Sequence, residues 1–228
     1  MAYATWWSGD TLPALAPLPH FSATRTDNAA LLARLADLPL TVVHTRLSQG
    51  HRPYVARLAG QPVAYGWVAT HTAHIGELDV TLTLPDDDRY LWDFATLPDW
   101  RGRGLYPHLL QAILRAEAAE AERFWIIAAP ENRASAAGIA KAGFATVALL
   151  SFQRDGRPGL VALGEPDRAV AAGRVLQVPL LDTRASTALS PCWHCAIVAR
   201  QDGQPLDDLG CWPSVAPGDV ALIPCTCG

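Results

Sequence analysis

The chain has 228 residues, half of them hydrophobic and 18% charged, a globular balance with enough length for a sizeable core, which excludes a disordered tail protein. Its 18 basic and 22 acidic residues give a net charge of −4, which argues against a nucleic-acid binder. There is no apolar run of about 18 residues and no basic start followed by an apolar stretch. Neither a membrane span nor a secretory leader is therefore expected, and the cytoplasm is the default location.

Residues 1–25, with Trp6, Trp7, Pro13, Pro17 and Pro19, read as an irregular arm packed on the surface. Asp27 is placed to cap a short helix with Leu31, Leu32 and Leu35 on one face. Residues 53–70 hold two strand-like runs around the turn signal Gly60-Gln61. A third run, 75–84, alternates apolar and polar residues until Asp86, Asp87 and Asp88 break it, and a fourth, 89–97, leads to Pro98. Residues 107–122 then carry a helical stripe of Leu109, Leu110, Ile113 and Leu114, with Pro107 at the first helical position. The apolar run 124–130 reads as a strand covered on both faces. A second helix, 131–143, starts near Glu131 or Asn132 and is closed by Gly143. Two strands, 144–152 and 158–164, flank Asp155-Gly156. Beyond a boundary near 165 the chain is rich in Pro, Gly and Cys, with short β-like runs such as 174–181.

The chemistry concentrates between strand 89–97 and helix 107–122, which with strand 124–129 form a right-handed βαβ unit with parallel strands. The intervening loop reads Asp99-Trp100-Arg101-Gly102-Arg103-Gly104-Leu105-Tyr106. Two glycines let the backbone approach a ligand, and successive N–H groups running into a helix start make an anion site, here with two arginines beside it. Pro107 stands where a dinucleotide fingerprint needs its third glycine, and no Gly-Lys-Ser/Thr follows, so neither of those phosphate loops is present.

The spacing Arg101-x-x-Gly104 after a strand resembles the pyrophosphate loop of the GNAT superfamily of N-acetyltransferases. Asn132-Arg133-Ala134-Ser135 followed by Lys141-Ala142-Gly143-Phe144 resembles that family's next helix at the right distance. The resemblance is specific over 89–144 and extends over about 20–160. It implies an α/β fold with a mostly antiparallel mixed sheet, splayed parallel central strands and flanking helices, as an acyltransferase domain over 1–164. Residues 165–228 would be a small Cys-rich extension.

The donor implied is acetyl-CoA or a longer acyl-CoA. Its pyrophosphate would sit on the N–H groups of 102–107 and its pantetheine arm along strand 89–97. The implied binding set is Phe94, Ala95 and Thr96 on the strand, Arg101, Gly102, Arg103, Gly104, Leu105, Tyr106 and Pro107 at the loop, and Asn132 and Ser135 on the second helix. A backbone N–H near Thr96 would polarise the thioester, and a neutral amine, small-molecule or peptide, would attack directly. For the general base, Glu77, Asp79 and Asp93 are candidates, each also readable as a solvated or paired carboxylate. Two positions depart from the family pattern. Tyr106 precedes Pro107, which predicts a helix that starts slightly late. Ile139 stands where the family often has a tyrosine that protonates the departing thiolate, leaving Tyr106 and Ser135 as candidates by residue type. The rival reading is a non-catalytic acyl-CoA-binding sensor or scaffold.

His71 and His74 read as solvent-facing, and Tyr54, Tyr65, Trp67 and Trp92 as core or pocket lining. The five cysteines all lie between 192 and 227. Cys192-x-x-Cys195 makes one metal knuckle, and Cys225-x-Cys227 with Cys211 supplies further thiols, so a structural zinc on Cys192, Cys195, Cys225 and Cys227 competes with free thiols or a disulfide. No partner for a cysteine nucleophile is recognisable. The sequence leaves the oligomeric state open, a homodimer included.

Overall fold

The computed structural model describes residues 1–181 apart from 77–79, 130–131 and 153–156. The elements run β1 (Ala2–Trp7), β2 (Phe21–Arg25), α1 (Ala29–Ala36), α2 (Leu40–Ser48), β3 (Arg52–Leu58), β4 (Gln61–Ala69), β5 (Thr72–Ile75) and β6 (Val80–Thr83). They continue with β7 (Asp88–Thr96), a 3-10 turn (Pro98–Trp100), α3 (Leu105–Glu117), β8 (Arg123–Ala128), α4 (Arg133–Ala142), β9 (Ala145–Phe152), β10 (Pro158–Ala162) and α5 (Pro166–Leu176). Eight strands form one sheet in the order β10-β9-β1-β8-β7-β4-β3-β2, with β7 and β8 as its parallel pair.

Side chains alternate across this sheet, so each strand feeds two cores. On one face Leu91, Phe124 and Ile126 meet Leu109, Leu110, Ile113 and Leu114 of α3 and Ile139 of α4. On the other, Val55 and Trp67 pack beneath α1 and α2, while Tyr3, Tyr90 and Trp125 pack against the β5–β6 hairpin and α5. The result is the mixed α/β architecture expected, with helices on both faces.

Several local expectations are corrected. Residues 1–25 are not an irregular arm throughout: Ala2–Trp7 is an interior strand between β8 and β9, and Phe21–Arg25 is the edge strand. Tyr3 stacks on Trp125 at 5.3 Å, and the Thr5 hydroxyl donates to the Phe124 carbonyl at 2.8 Å, which holds β1 inside. Only the proline-bearing loop 8–20 is without regular structure. The cap of α1 is Asn28 rather than Asp27, its side chain accepting the Leu31 N–H at 2.9 Å. The hairpin turn is Ala59-Gly60, both at positive φ (48° and 82°), one residue before Gly60-Gln61. The run 75–84 is not one strand: β5 and β6 pair with each other as a separate two-stranded sheet. The β-like reading of 174–181 holds only at its end: residues 174–176 close α5, whose Ala172, Val175 and Leu176 join the core holding Tyr3 and Trp125, while Leu180 makes a parallel bridge to Leu160.

Helix α3 begins at Leu105, earlier than 107 and not later as Tyr106-Pro107 suggested. Pro107 is then the third helical residue, where the N–H it lacks would have had no intrahelical acceptor, so little is lost. At the other end of α3 the buried Glu117 binds three groups. It accepts from Arg52 at 2.6 Å, from Arg89 at 3.1 Å and from the Tyr54 hydroxyl at 2.6 Å, so it ties α3 to β3 and β7.

Glu117→Ala would leave the buried Arg89 without its buried carboxylate, with only the exposed Glu120 at 3.6 Å as a counter-charge. The expected loss is about 3–5 kcal/mol of unfolding free energy, measured by urea denaturation.

Candidate functional site

The loop after β7 is built by two left-handed glycines. Gly102 and Gly104 have φ of 76° and 72°, and a Cβ added at either would meet no atom within 4 Å, so glycine serves the backbone turn while the space outside stays open. The N–H groups of 102–106 take no backbone partner outside α3 among the described residues, and they converge on the positive end of that helix. Pro107 carries no N–H, so the donors end at Tyr106. Arg101 donates through Nε to the Thr96 carbonyl at 3.1 Å. Arg103 donates to the Asp99 carbonyl at 3.1 Å and lies 4.7 Å from the Trp100 ring centre. Both guanidinium groups are thus held beside the loop.

From this loop a gap runs back between the parallel strands. β7 and β8 pair from Asp88↔Arg123 to Leu91↔Ile126 and then part, while β7 keeps β4 as a partner as far as Thr96. The Leu97 N–H donates to Val63 on β4 at 2.9 Å; by alternation the Thr96 N–H faces the other way, toward the gap. A bulge lies midway: Trp92 opposes Trp67 and Ala95 opposes Tyr65, so Asp93 and Phe94 both face Gly66. Asp93 takes the left-handed conformation (φ 49°), and a Cβ on Gly66 would fall 2.0 Å from the Phe94 ring. Gly66 is therefore the residue that admits Phe94.

The bulge breaks the alternation once, so that Trp92 and Asp93 both face α2 before Phe94 returns to the other face. Phe94 goes to the α3–α4 face and packs on Tyr106 at 5.5 Å between ring centres. Tyr106 in turn lies on Gly138, where a Cβ would sit 2.5 Å from its ring, and its hydroxyl is 3.4 Å from Ser135 Oγ. Asn132 caps α4 by accepting the Ser135 N–H at 2.9 Å. Phe94, Tyr106, Asn132 and Ser135 are thereby brought together. Burial pushes the Tyr106 hydroxyl up to about 12, against a smaller opposing effect of Ser135, so it remains a proton donor at neutral pH. Ile139 is 3% exposed and belongs to the core.

Asp93 goes to the α2 face and is ion-paired with Arg46. The Arg46 guanidinium lies 4.5 Å from the Trp92 ring centre and 5.1 Å from that of Trp67. Beside it opens a cleft of about 420 Å³, to which α2 contributes Thr41, Val42, Thr45 and Arg46. Gln49 and His51 follow α2, and His74 and Trp92 close the other side. His51 stands edge-on to Trp92 at 5.1 Å, and its Nδ1 is buried without a hydrogen-bond partner. Burial first, and the Arg46 charge second, lower its proton affinity.

Arg46 and His51 escaped the sequence reading because α2 did. Its signal was present in Leu40, Val43 and Leu47, at i, i+3 and i+7. Of the aromatic residues singled out, Tyr54 and Trp67 are buried while Trp92 lines the cleft. His71 and His74 are exposed, as expected. Glu77 and Asp79 lie outside the described residues, as do Cys192, Cys195, Cys211, Cys225 and Cys227. Among the described residues there is no group of three or more His, Cys, Asp or Glu placed to hold a metal, and no helix long and apolar enough to cross a membrane.

The family model described as the acetyltransferase (GNAT) family matches residues 20–144, more than half of the chain. Among solved structures, the chain is similar to a protein assigned to the GNAT family from Novosphingobium aromaticivorans, with 18% identity, a TM-score of 0.45, and coverage of 63% of this chain and 59% of that one. It is also similar to a GCN5-related N-acetyltransferase from Kribbella flavida, with 15% identity, a TM-score of 0.43, and coverage of 64% and 53%. An acetyltransferase structure with acetyl-CoA from Clostridium acetobutylicum shares 14% identity at a TM-score of 0.39, covering 55% of this chain and 90% of that one. The chain thus spans less than two thirds of the length of the first two. No curated protein matches it.

The buried tyrosines have a consequence for alkaline stability. Tyr106 is pushed up to about 12, and Tyr3, Tyr54 and Tyr65 are also raised, each by burial first. A tyrosine raised in the folded state contributes stability that is complete below the unfolded value, about 10, and is lost as pH rises through the folded one. The urea midpoint should therefore hold up to about pH 10 and fall between about pH 10 and 12. Tyr106→Phe should flatten part of that decline.

Proposed function

The chain belongs to the GNAT family of acetyltransferases, and from that premise we propose that it moves an acetyl or longer acyl group from acyl-CoA to a small-molecule or peptide amine by direct attack. The observation that carries this reading is the joining of an open N–H cradle at 102–106 to a gap between β7 and β8 that runs back from it. The pyrophosphate of the donor fits the cradle. Gly102 and Gly104 leave its space open, and the unpaired N–H groups of Gly102, Arg103, Gly104, Leu105 and Tyr106 meet its charge, with Arg101 and Arg103 beside them.

The pantetheine arm fits the edge that β7 turns toward the gap, over Phe94, Ala95 and Thr96. In an ordinary sheet that edge would be taken by β8. A backbone N–H of this segment, directed by the bulge, polarises the thioester carbonyl as the amine attacks. Phe94 and Tyr106 wall the gap on the α3–α4 face, and Asn132 fixes Ser135 under the Tyr106 hydroxyl. Tyr106 is the donor for the departing thiolate in this reading, the role that Ile139 cannot fill. Its protonated hydroxyl at the gap favours turnover over a purely binding role. Asp93 is a positioning residue: its carboxylate is engaged by Arg46, which holds the bulge.

In calorimetry and thermal shift, acetyl-CoA at 100 times its dissociation constant should stabilise the protein by about 2.7 kcal/mol. Gly104→Asp, which puts a side chain and a negative charge in the cradle, should weaken binding by at least about tenfold. Unchanged affinity in that variant would refute the loop assignment. Replacing the five cysteines one at a time by serine should leave acyl transfer rates of folded protein within a few-fold, because direct attack needs no thioester on the enzyme. A trapped acyl-cysteine would contradict this.

A further inference from the structure

We infer that the cleft beside α2 is the acceptor site, and that it takes a small, singly charged primary amine with an apolar body, whose nitrogen passes its proton to His51. This rests on the transferase reading above and names the substrate class for the same site.

Position comes first. Trp92 is the first residue of β7 beyond its last pair with β8, Leu91↔Ile126. An acyl group carried along the gap from the 101–106 loop runs out of room where the strands close, and there Trp92 is a wall of the cleft. The cleft therefore meets the gap from the opposite face of the sheet. A donor entering from the α3 side and an acceptor entering from the α2 side converge at the bulge.

Lining comes second. Val42 and Trp92 are apolar, Thr41, Thr45 and Gln49 are uncharged, and among the described residues no carboxylate lines the cleft. Asp93, behind it, is already paired with Arg46. A polycationic acceptor needs several carboxylates to replace its hydration, whereas an apolar body satisfies Trp92 and Val42 directly.

His51 supplies the third observation. It is 7% exposed, lines the cleft, and carries a buried ring nitrogen with no partner. A buried polar atom left unpaired is the exception in folded proteins. The charged and titratable groups around it are Arg46 from α2, Asp93 of β7 through Arg46, and His74 from β5 across the cleft. Burial and Arg46 keep the imidazole neutral; Nδ1 is closed off and Nε2 is not, so Nε2 is the atom that accepts a proton from the cleft. The ammonium first gives one proton to solvent, so that a neutral amine with a free lone pair stands in the cleft; its nitrogen then bonds to the thioester carbon and the C–S bond breaks. The proton shed by nitrogen goes to His51, and the coenzyme A thiolate leaves and is protonated by the Tyr106 hydroxyl. Tyr106 recovers its proton from solvent and His51 releases its own, so the sum is amide plus free thiol.

The test measures thiol release from acetyl-CoA with 2-phenylethylamine and with kanamycin, alongside calorimetric binding of acetyl-CoA. Wild type should use 2-phenylethylamine at least about tenfold more efficiently than kanamycin. His51→Gln should lower kcat by about a hundredfold while its acetyl-CoA affinity stays unchanged. Val42→Asp, at a position 37% exposed where folding tolerates the change, should raise KM for 2-phenylethylamine several-fold with little change in kcat. A preference for kanamycin, or turnover of neither amine by protein that binds acetyl-CoA, overturns the substrate class. Undiminished kcat in folded His51→Gln overturns the proton acceptor, and an unaltered KM in Val42→Asp overturns the cleft assignment. Failure of wild type to bind acetyl-CoA at all overturns the transferase reading beneath it.

Discussion

The bulge in β7 is the constraint on which the site depends. Two residues, Asp93 and Phe94, face the single residue Gly66, and Asp93 is held in a conformation that costs a non-glycine residue about 1–3 kcal/mol. Packing on both faces offsets that strain. On one, the Phe94 ring occupies the volume that Gly66 leaves empty and leans on Tyr106. On the other, Asp93 is bound by Arg46, itself seated over the rings of Trp67 and Trp92. Without the extra residue, strict alternation after Leu91 and Trp92 would put Asp93 on the α3–α4 face, away from Arg46. The bulge keeps Asp93 beside Trp92 on the α2 face and returns Phe94 to the α3–α4 face.

Why the parallel strands part at one end only follows from charge. At the closed end Asp88 accepts from Arg123 at 2.7 Å and from the indole N–H of Trp125 at 2.7 Å, and Arg123 also reaches Asp87 at 2.8 Å. Burial raises the Asp88 carboxyl, and those donors oppose the rise. Glu117 adds a second buried anchor through Arg89 and Arg52. A buried carboxylate with two or three donors is costly to disrupt, since each donor would be left unsolvated. No comparable clamp joins β7 to β8 beyond Leu91 among the described residues, so the pair is fastened at Asp88 and open at Thr96.

The sequence was most legible where periodicity and turn chemistry agreed. The stripe Leu109, Leu110, Ile113, Leu114, the closing Gly143 and the two loop glycines each have one strong physical meaning, and α3, α4 and the cradle appear where those residues put them. It was least legible where long-range packing decides. Ala2–Trp7 is six residues beside a proline-rich loop, and its place between β8 and β9 depends on Trp125 and Phe124, more than a hundred residues away. Helix α2 carries β-branched residues and an exposed Leu40, so its apolar spacing is weak on its own. The bulge is a tertiary event with no local signature beyond Gly66. For that reason the glycine loop was readable and the Arg46–His51 side was not.

The interior position of β1 completes the physical account of the gap. When β8 leaves β7 after Ile126, the backbone groups of Ile127 and Ala128 lose a possible partner on that side. Unpaired backbone in a sheet interior would be strongly unfavourable if both edges of β8 were bare. β1 secures the other edge, pairing along the whole of β8 from Trp7↔Arg123 to Ala2↔Ala128, so that only the groups turned toward the gap lack a strand partner. It also pairs with β9, so the three strands form one continuous ladder. The Arg168 guanidinium grips both oxygens of Asp10 at 2.7 Å, joining the loop just after β1 to α5 and its core. The gap is then a seam that opens only beyond Leu91, between two strands that each keep a partner on the other side.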